Sequence, residues 1–304
     1  MRNKGSACAR CARPVAAPAL AAWNAAATIA VVTIAVATIA VVMGLLLPAQ
    51  AAEQALSVGT HRPLVFGHRG GRKWAPENTL ASFRRALAAH ADGIELDIHR
   101  CATGELIVIH DETLERTTNG AGYVKDKTLA QLKALDAGSW YAPEFKGERL
   151  PLLSEVLDAV DGKAIVNVEI KNNPIAYPGI DDELIKLLAK YKYPDKIVVS
   201  SFDHGILEQF HRKAPQYKLG MLDDAIPAEI GKYAQMVGAQ GWNPEYIAVR
   251  PDTIATAHSA GLQVSVWTPN KPDEWRAMTN MGVDVIITDD PAGLLEFQKK
   301  NQGQ

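Results

Sequence analysis

The sequence predicts an α/β fold, an eight-stranded parallel barrel with its helices outside, on three observations. After Ala52, short β-branched runs alternate with longer amphipathic ones, the pattern of parallel strands joined by helical crossovers. Nine strand candidates appear, and two of them are joined by a link too short for a crossover, which leaves eight for a closed ring. The length after Ala51 suits such a barrel, which takes about 250 residues and buries a substantial core.

The strand candidates are Leu64–Gly67, Gly93–Ile98, Leu106–Ile109, Ala164–Ile170, Ile197–Ser201, Lys218–Leu222, Gly241–Asn243, Gln263–Trp267 and Val285–Thr288. Cys101–Glu105 is the short link, so Gly93–Ile98 and Leu106–Ile109 are expected to pair as an antiparallel hairpin. The returning strand then delivers His110 to the barrel rim. Between the strands lie the helix candidates Thr79–His90, Asp182–Tyr191, Gly205–Lys213, Ala228–Met236, Asp252–Ala260, Asp273–Met281 and Ala292–Lys300. Asn78 or Thr79 caps the first, and Gly261, Gly282, Pro227, Pro251, Pro272 and Pro291 mark stops and starts in the others. Residues 111–151 form a long excursion before the next strand, expected either to shape a pocket or to be an ordinary surface insertion. With no internal repeat or linker after residue 60, residues 52–304 read as one domain.

Residues 1–51 differ in composition. Arg2, Lys4, Arg10 and Arg13 precede an apolar stretch from Ala25 to Leu47 and the small-residue pattern Ala49-Gln50-Ala51. This reads as a signal peptide cleaved after Ala51, or as an uncleaved N-terminal membrane anchor, since the apolar run exceeds the usual core of about 7–15 residues and reaches the ~20 that span a bilayer. Either way the rest of the chain is expected outside the cytoplasm, periplasmic or secreted, with membrane contact only if the segment is uncleaved. Cys8 and Cys11 have CxxC spacing, but both fall in this leader, and Cys101 alone remains in the mature chain. With the leader's +4 removed from the formal net charge of −2, the remainder carries −6, which argues against a nucleic-acid partner.

The residues that carry chemistry cluster at strand ends. Alternation along Gly93–Ile98 puts Glu95 and Asp97 on one face, and Glu169 adds a third carboxylate near the end of another strand. Three such oxygen donors suit one hard divalent cation, Mg²⁺ or Ca²⁺, better than zinc. Salt-bridged surface carboxylates are the plain alternative. His68 and His110 flank this cluster, and histidine titrates nearest neutral pH, so the pair suits acid/base work. Each could instead merely cap a strand end. His99 is read as alternating away from Asp97, and His204, after Phe202, is an outside candidate. Arg69 and Lys171 place positive charge where a phosphodiester would lie, although Lys171 can equally neutralise Glu169. Glu77 orients His68 or Arg69, or belongs to a simple helix N-terminus. Phe202 and Trp267 offer an apolar wall for an alcohol group, or serve as ordinary core aromatics.

Gly67-His68-Arg69-Gly70, Pro76-Glu77-Asn78-Thr79, Glu95-Leu96-Asp97, His110-Asp111, Glu169-Ile170-Lys171, Ser201-Phe202, Val266-Trp267-Thr268 and Thr288-Asp289 occur in that order. Together they resemble the glycerophosphodiester phosphodiesterase family, over nearly the whole chain from Leu64 to Pro291. The resemblance implies a TIM (β/α)8 barrel of the phospholipase-C-like kind, with a hairpin and a small insertion. It implies a divalent cation on Glu95, Asp97 and Glu169, His68 and His110 as acid and base, and Arg69 and Lys171 on the phosphate. The expected activity is hydrolysis of a small glycerophosphodiester to glycerol 3-phosphate and an alcohol. Two rivals are a lysophospholipase D or sphingomyelinase-D-like enzyme, which needs a wide apolar groove, and a catalytically dead barrel, against which the intact histidines and carboxylates argue.

Overall fold

In the computed structural model the described residues are 62–301. The expectations for the leader, residues 1–51 with Cys8 and Cys11, lie outside them. Among the described residues no helix is long and apolar enough to cross a membrane.

Nine strands form one sheet: β1 Leu64–Gly67, β2 Gly93–Arg100, β3 Leu106–Val108, β4 Ile165–Ile170, β5 Ile197–Ser201, β6 Lys218–Asp223, β7 Gly241–Pro244, β8 Gln263–Trp267 and β9 Val285–Thr288. Neighbours run β1-β9-β8-β7-β6-β5-β4-β2-β3, and β1 also pairs β2, which closes an eight-stranded barrel. All pairings within that ring are parallel; β3 alone is antiparallel, paired to β2 through Ile98↔Val108 and Arg100↔Leu106. The expected barrel and its hairpin are both present. Ile109 N continues the hairpin onto the Asp97 carbonyl (3.1 Å), which sets His110 one residue beyond the rim.

The helices are α1 Leu80–Ala88, α2 Leu129–Lys133, α3 Leu153–Val160, α4 Ile180–Leu188, α5 His204–Lys213, α6 Ile230–Val237, α7 Pro251–Ser259, α8 Pro272–Met281 and α9 Pro291–Asn301. Thr79, not Asn78, caps α1: its hydroxyl accepts from Ser82 N while Ser82 Oγ accepts from Thr79 N, both at 3.3 Å. Helix α3 was not among the expected elements. Its Leu153, Val156, Leu157 and Val160 are buried at helical spacing and join the main core between strands and helices. Inside the barrel Phe66, Val285 and Ile287 pack together. The excursion is ordered by a small core of its own, with Ile107, Ile109, Leu114, Val124, Leu132 and Leu150 buried together.

Candidate active site

Beyond β1 the chain turns sharply through His68–Gly70, and Arg69 takes φ 50°, a left-handed conformation uncommon for a side-chain-bearing residue. Three contacts hold it there. Arg69 N donates to Glu95 Oε2 (2.8 Å), and its carbonyl accepts from Asn78 N (2.9 Å) and Ser82 Oγ (3.1 Å). Gly70 follows at φ +85°, where a Cβ would collide with the Ser82 side chain. The glycine is therefore a requirement of the turn.

Both histidines are held through Nδ1 by an aspartate. His68 Nδ1 lies 2.7 Å from Asp289 Oδ1, and Asp289 also accepts from Asn270 Nδ2 (2.8 Å). His110 Nδ1 lies 2.7 Å from Asp111 Oδ1, and Asp111 is fixed by Arg116 (Nε to Oδ2, 2.6 Å). Lys171 Nζ approaches His110 Nε2 to 3.2 Å, so the neutral ring accepts there and donates from Nδ1 to Asp111. Burial pushes both histidines below their ordinary pKa, with the Asp289 hydrogen bond opposing it at His68 and the Asp97 charge opposing it at His110.

Glu95, Asp97 and Glu169 are buried, and each brings an oxygen within 4.8 Å of the other two. Burial and the neighbouring Asp97 charge raise Glu95 well above the usual carboxylate range and push Glu169 up to about 7. Burial would raise Asp97 too, but the charges of Arg69, His110 and Lys171 and a bond from Asn78 Nδ2 (2.8 Å) hold it below that range. Lys171 Nζ donates to Glu169 Oε1 (2.8 Å) and lies 3.7 Å from Asp97 Oδ1. Three carboxylates driven together in this way favour a proton or a cation between them, and an all-oxygen donor set suits a hard divalent cation. The residues fit such an ion.

Glu77 sits behind Arg69, accepting from its Nη1 (2.7 Å) and from Arg116 Nη1 (2.9 Å) and Nη2 (2.8 Å). Of the two partners considered for it, Arg69 is the one it meets. A cavity of about 60 Å³ is lined by His68, Arg69, Glu95, His110, Glu169 and Lys171 together with the apolar Phe202, Leu222, Trp267 and Ile287. Phe202 and Trp267 stack edge to face at 5.6 Å.

The structure thus brings every expected site residue to one rim, and it corrects two side readings. His99 is not turned away from Asp97: the two-residue period keeps positions 95, 97 and 99 on one side of β2. His99 is buried, with Nε2 2.9 Å from the His110 carbonyl and Nδ1 2.8 Å from Tyr177 Oη. It supports the backbone beneath His110. His204 spends both nitrogens on Tyr233 Oη and the Leu222 carbonyl, each at 2.9 Å, and takes no part in the cavity. Sequence reasoning gave no role to Asp289 or Arg116, and it considered Asn78 only as a helix cap, not as a partner of Asp97. Asp289 stood inside a quoted motif, and Asn78 stood beside Glu77.

The model of the glycerophosphoryl diester phosphodiesterase family matches residues 68–293. The chain belongs to that family. It is 41% identical over 240 residues to a glycerophosphodiester phosphodiesterase of Caldanaerobacter subterraneus subsp. tengcongensis, covering 79% of this chain and 99% of the relative. A glycerophosphodiester phosphodiesterase of Agrobacterium tumefaciens has a similar crystal structure, with TM-score 0.70 and 31% identity, covering 77% of this chain and all of that one. An Oleispira antarctica phosphodiesterase solved with the product sn-glycerol 3-phosphate gives TM-score 0.73 at 27% identity, covering 78% of this chain and 97% of its own. The expected family, the TIM barrel and the expected phosphoric diester hydrolase all stand on these matches.

Proposed function

We propose that this enzyme hydrolyses glycerophosphodiesters to glycerol 3-phosphate and an alcohol, using one divalent cation, Mg²⁺ or Ca²⁺, and the pair His68 and His110. The observation that carries the reading is the meeting, around one small cavity, of two aspartate-held histidines with the carboxylate cluster and two cationic side chains. The product seen with the Oleispira antarctica relative supports the same substrate class.

Arg69 and Lys171 carry the phosphate. Arg69 Nε is buried without a hydrogen-bond acceptor, a donor ready for a phosphoryl oxygen. One histidine takes the proton of the attacking hydroxyl as its oxygen bonds to phosphorus. The other gives a proton to the leaving alkoxide as the second P–O bond breaks. Asp289 and Asp111 fix the tautomers, so Nε2 is the working nitrogen of each ring. Glu95, Asp97 and Glu169 would hold the cation, which supplies charge stabilisation to the phosphoryl oxygens. Phe202 and Trp267 wall the alcohol side.

The attacker is either the substrate's own 2-hydroxyl, giving a cyclic phosphate that water then opens, or water itself. Incorporation of solvent ¹⁸O together with a trap for the cyclic ester separates the two. Relative rates on glycerophosphocholine and lysophosphatidylcholine test the choice between a short diester and the lysophospholipase D or sphingomyelinase-D-like reading. The main test is phosphodiesterase activity of the purified chain with and without EDTA, alongside His110→Ala. Activity unchanged by both would sink the mechanism. The leader pattern alone supports a catalytic domain outside the cytoplasm, and N-terminal sequencing of the protein recovered after cell fractionation tests it.

A further inference from the structure

We infer that Asn167 and Ser200 hold a neutral hydroxylic oxygen against the carboxylate cluster, and that this task, not stability, explains them. The inference rests on reading the cluster as a cation site. Among the described residues four buried side-chain atoms lack a hydrogen-bond partner, and three of them, Arg69 Nε, Asn167 Oδ1 and Ser200 Oγ, belong to residues lining the same cavity. Arg69 Nε lies 3.6 Å from Asp97 Oδ2, and the proposed phosphate would take its hydrogen. The other two sit lower, on strands whose register sets them beside the cluster: Asn167 pairs with Glu95 across β2 and β4, and Ser200 with Glu169 across β4 and β5.

Both residues are fully enclosed, at 2% and 0% exposure. An amide oxygen only accepts, and so do Glu95 and Glu169 once a cation holds them ionised, so in the loaded site they cannot satisfy Asn167 Oδ1. It needs a donor. A water or a polyol hydroxyl gives one hydrogen to Asn167 Oδ1, exchanges a second bond with Ser200 Oγ, and keeps a lone pair for a cation among the carboxylates. The packing does not itself demand the amide. Asn167 also lines a separate cavity of about 390 Å³ lower in the barrel, where Phe66, Ile165 and Ile287 mix with Asn243, Gln263 and Ser265, and no protein group there hydrogen-bonds its Oδ1.

The shared chemistry is a hydroxylic oxygen, and two ligands separate its source. Asn167→Leu and Ser200→Ala are made in the full chain. Ca²⁺ and Mg²⁺ affinities are measured by calorimetry without substrate, and then the affinities of sn-glycerol 3-phosphate and of 1,3-propanediol phosphate at saturating cation. A loss of cation affinity of about ten-fold or more, typical when a group supporting a metal's ligands is removed, identifies the oxygen as water. Unchanged cation affinity with a similar loss for glycerol 3-phosphate, not shared by the phosphate lacking the middle hydroxyl, identifies it as the substrate's. In EDTA the melting temperature of Asn167→Leu is expected to match or exceed that of the parent. Affinities within two-fold of the parent for all ligands in both variants would overturn the inference, as would a lower melting temperature of both in EDTA. Should Asn167→Leu fail to fold, Ser200→Ala, which removes one atom, decides alone. A parent protein that binds neither cation would instead bring down the reading of the cluster itself.

Discussion

His68 Nδ1 and Asp289 Oδ1 are 2.7 Å apart although 221 positions separate them in the chain. The contact spans the seam where β9 closes on β1, with Gly67 paired to Thr288, the residues immediately before each. Substituting Asp289→Asn leaves a ring of the same shape free to take the wrong tautomer. We expect kcat to fall by about 10²–10⁴, the range of a single acid/base group, with KM little changed. Steady-state kinetics on glycerophosphocholine check this; an unaltered kcat would remove Asp289 from the mechanism.

The raised Glu95 and Glu169 carboxyls lead to a second prediction. A cation entering the cluster must displace protons, so its binding releases them and tightens as pH rises through about 7, the value for Glu169. Calorimetric titration of Ca²⁺ in two buffers of different ionisation enthalpy measures the protons directly. Equal heats in both buffers would contradict it.

Glu77 links pH to folding. Burial raises its carboxyl, but the Arg116 hydrogen bond and the Arg69 charge prevail and bring it from 4.5 down to about 2. A depressed folded-state pKa stabilises the native form above the unfolded value near 4.5, and that stability is lost as pH falls through 2. The shift corresponds to something on the order of 3 kcal/mol. Denaturant unfolding of the parent and of Glu77→Gln should therefore show a difference in stability that narrows between pH 4.5 and 2. A difference constant over that window argues that packing, not ionisation, is what Glu77 provides.

Gly70→Ala tests the turn that presents Arg69. The new Cβ meets the Ser82 side chain at a backbone angle that L-residues avoid, so a loss of at least about 2 kcal/mol is expected. Urea unfolding reads the stability. An alanine variant as stable as the parent would show that Ser82 and α1 yield easily.

The sequence is most informative where periodicity is strong. The alternation of strand and helix candidates and the Cys101–Glu105 link were enough to predict the barrel and the hairpin, and with them the placement of Glu95, Asp97, Glu169 and both histidines. Helix α3 escaped although Leu153, Val156, Leu157 and Val160 carry the helical period, because it follows directly on a long irregular stretch. His99 was misplaced by a slip in strand parity, which the alternation itself corrects. Asp289 and Arg116 were harder. Neither contact is local: one arises from closing the ring and the other from an excursion whose small core folds Arg116 back onto Glu77. One-dimensional patterns do not encode such closures.

The pairing of β9 with β1 also bears on when activity can first appear. Residues 62–284 contain both histidines, all three carboxylates, Arg69 and Lys171, yet not the aspartate that orients His68. A growing polypeptide, or a fragment clipped before its final strand, possesses nearly the whole toolkit without the part that aligns it. The last stave of the ring thus works as a completion check on geometry: the partner of His68 arrives only with a chain made through to its final strand and folded shut.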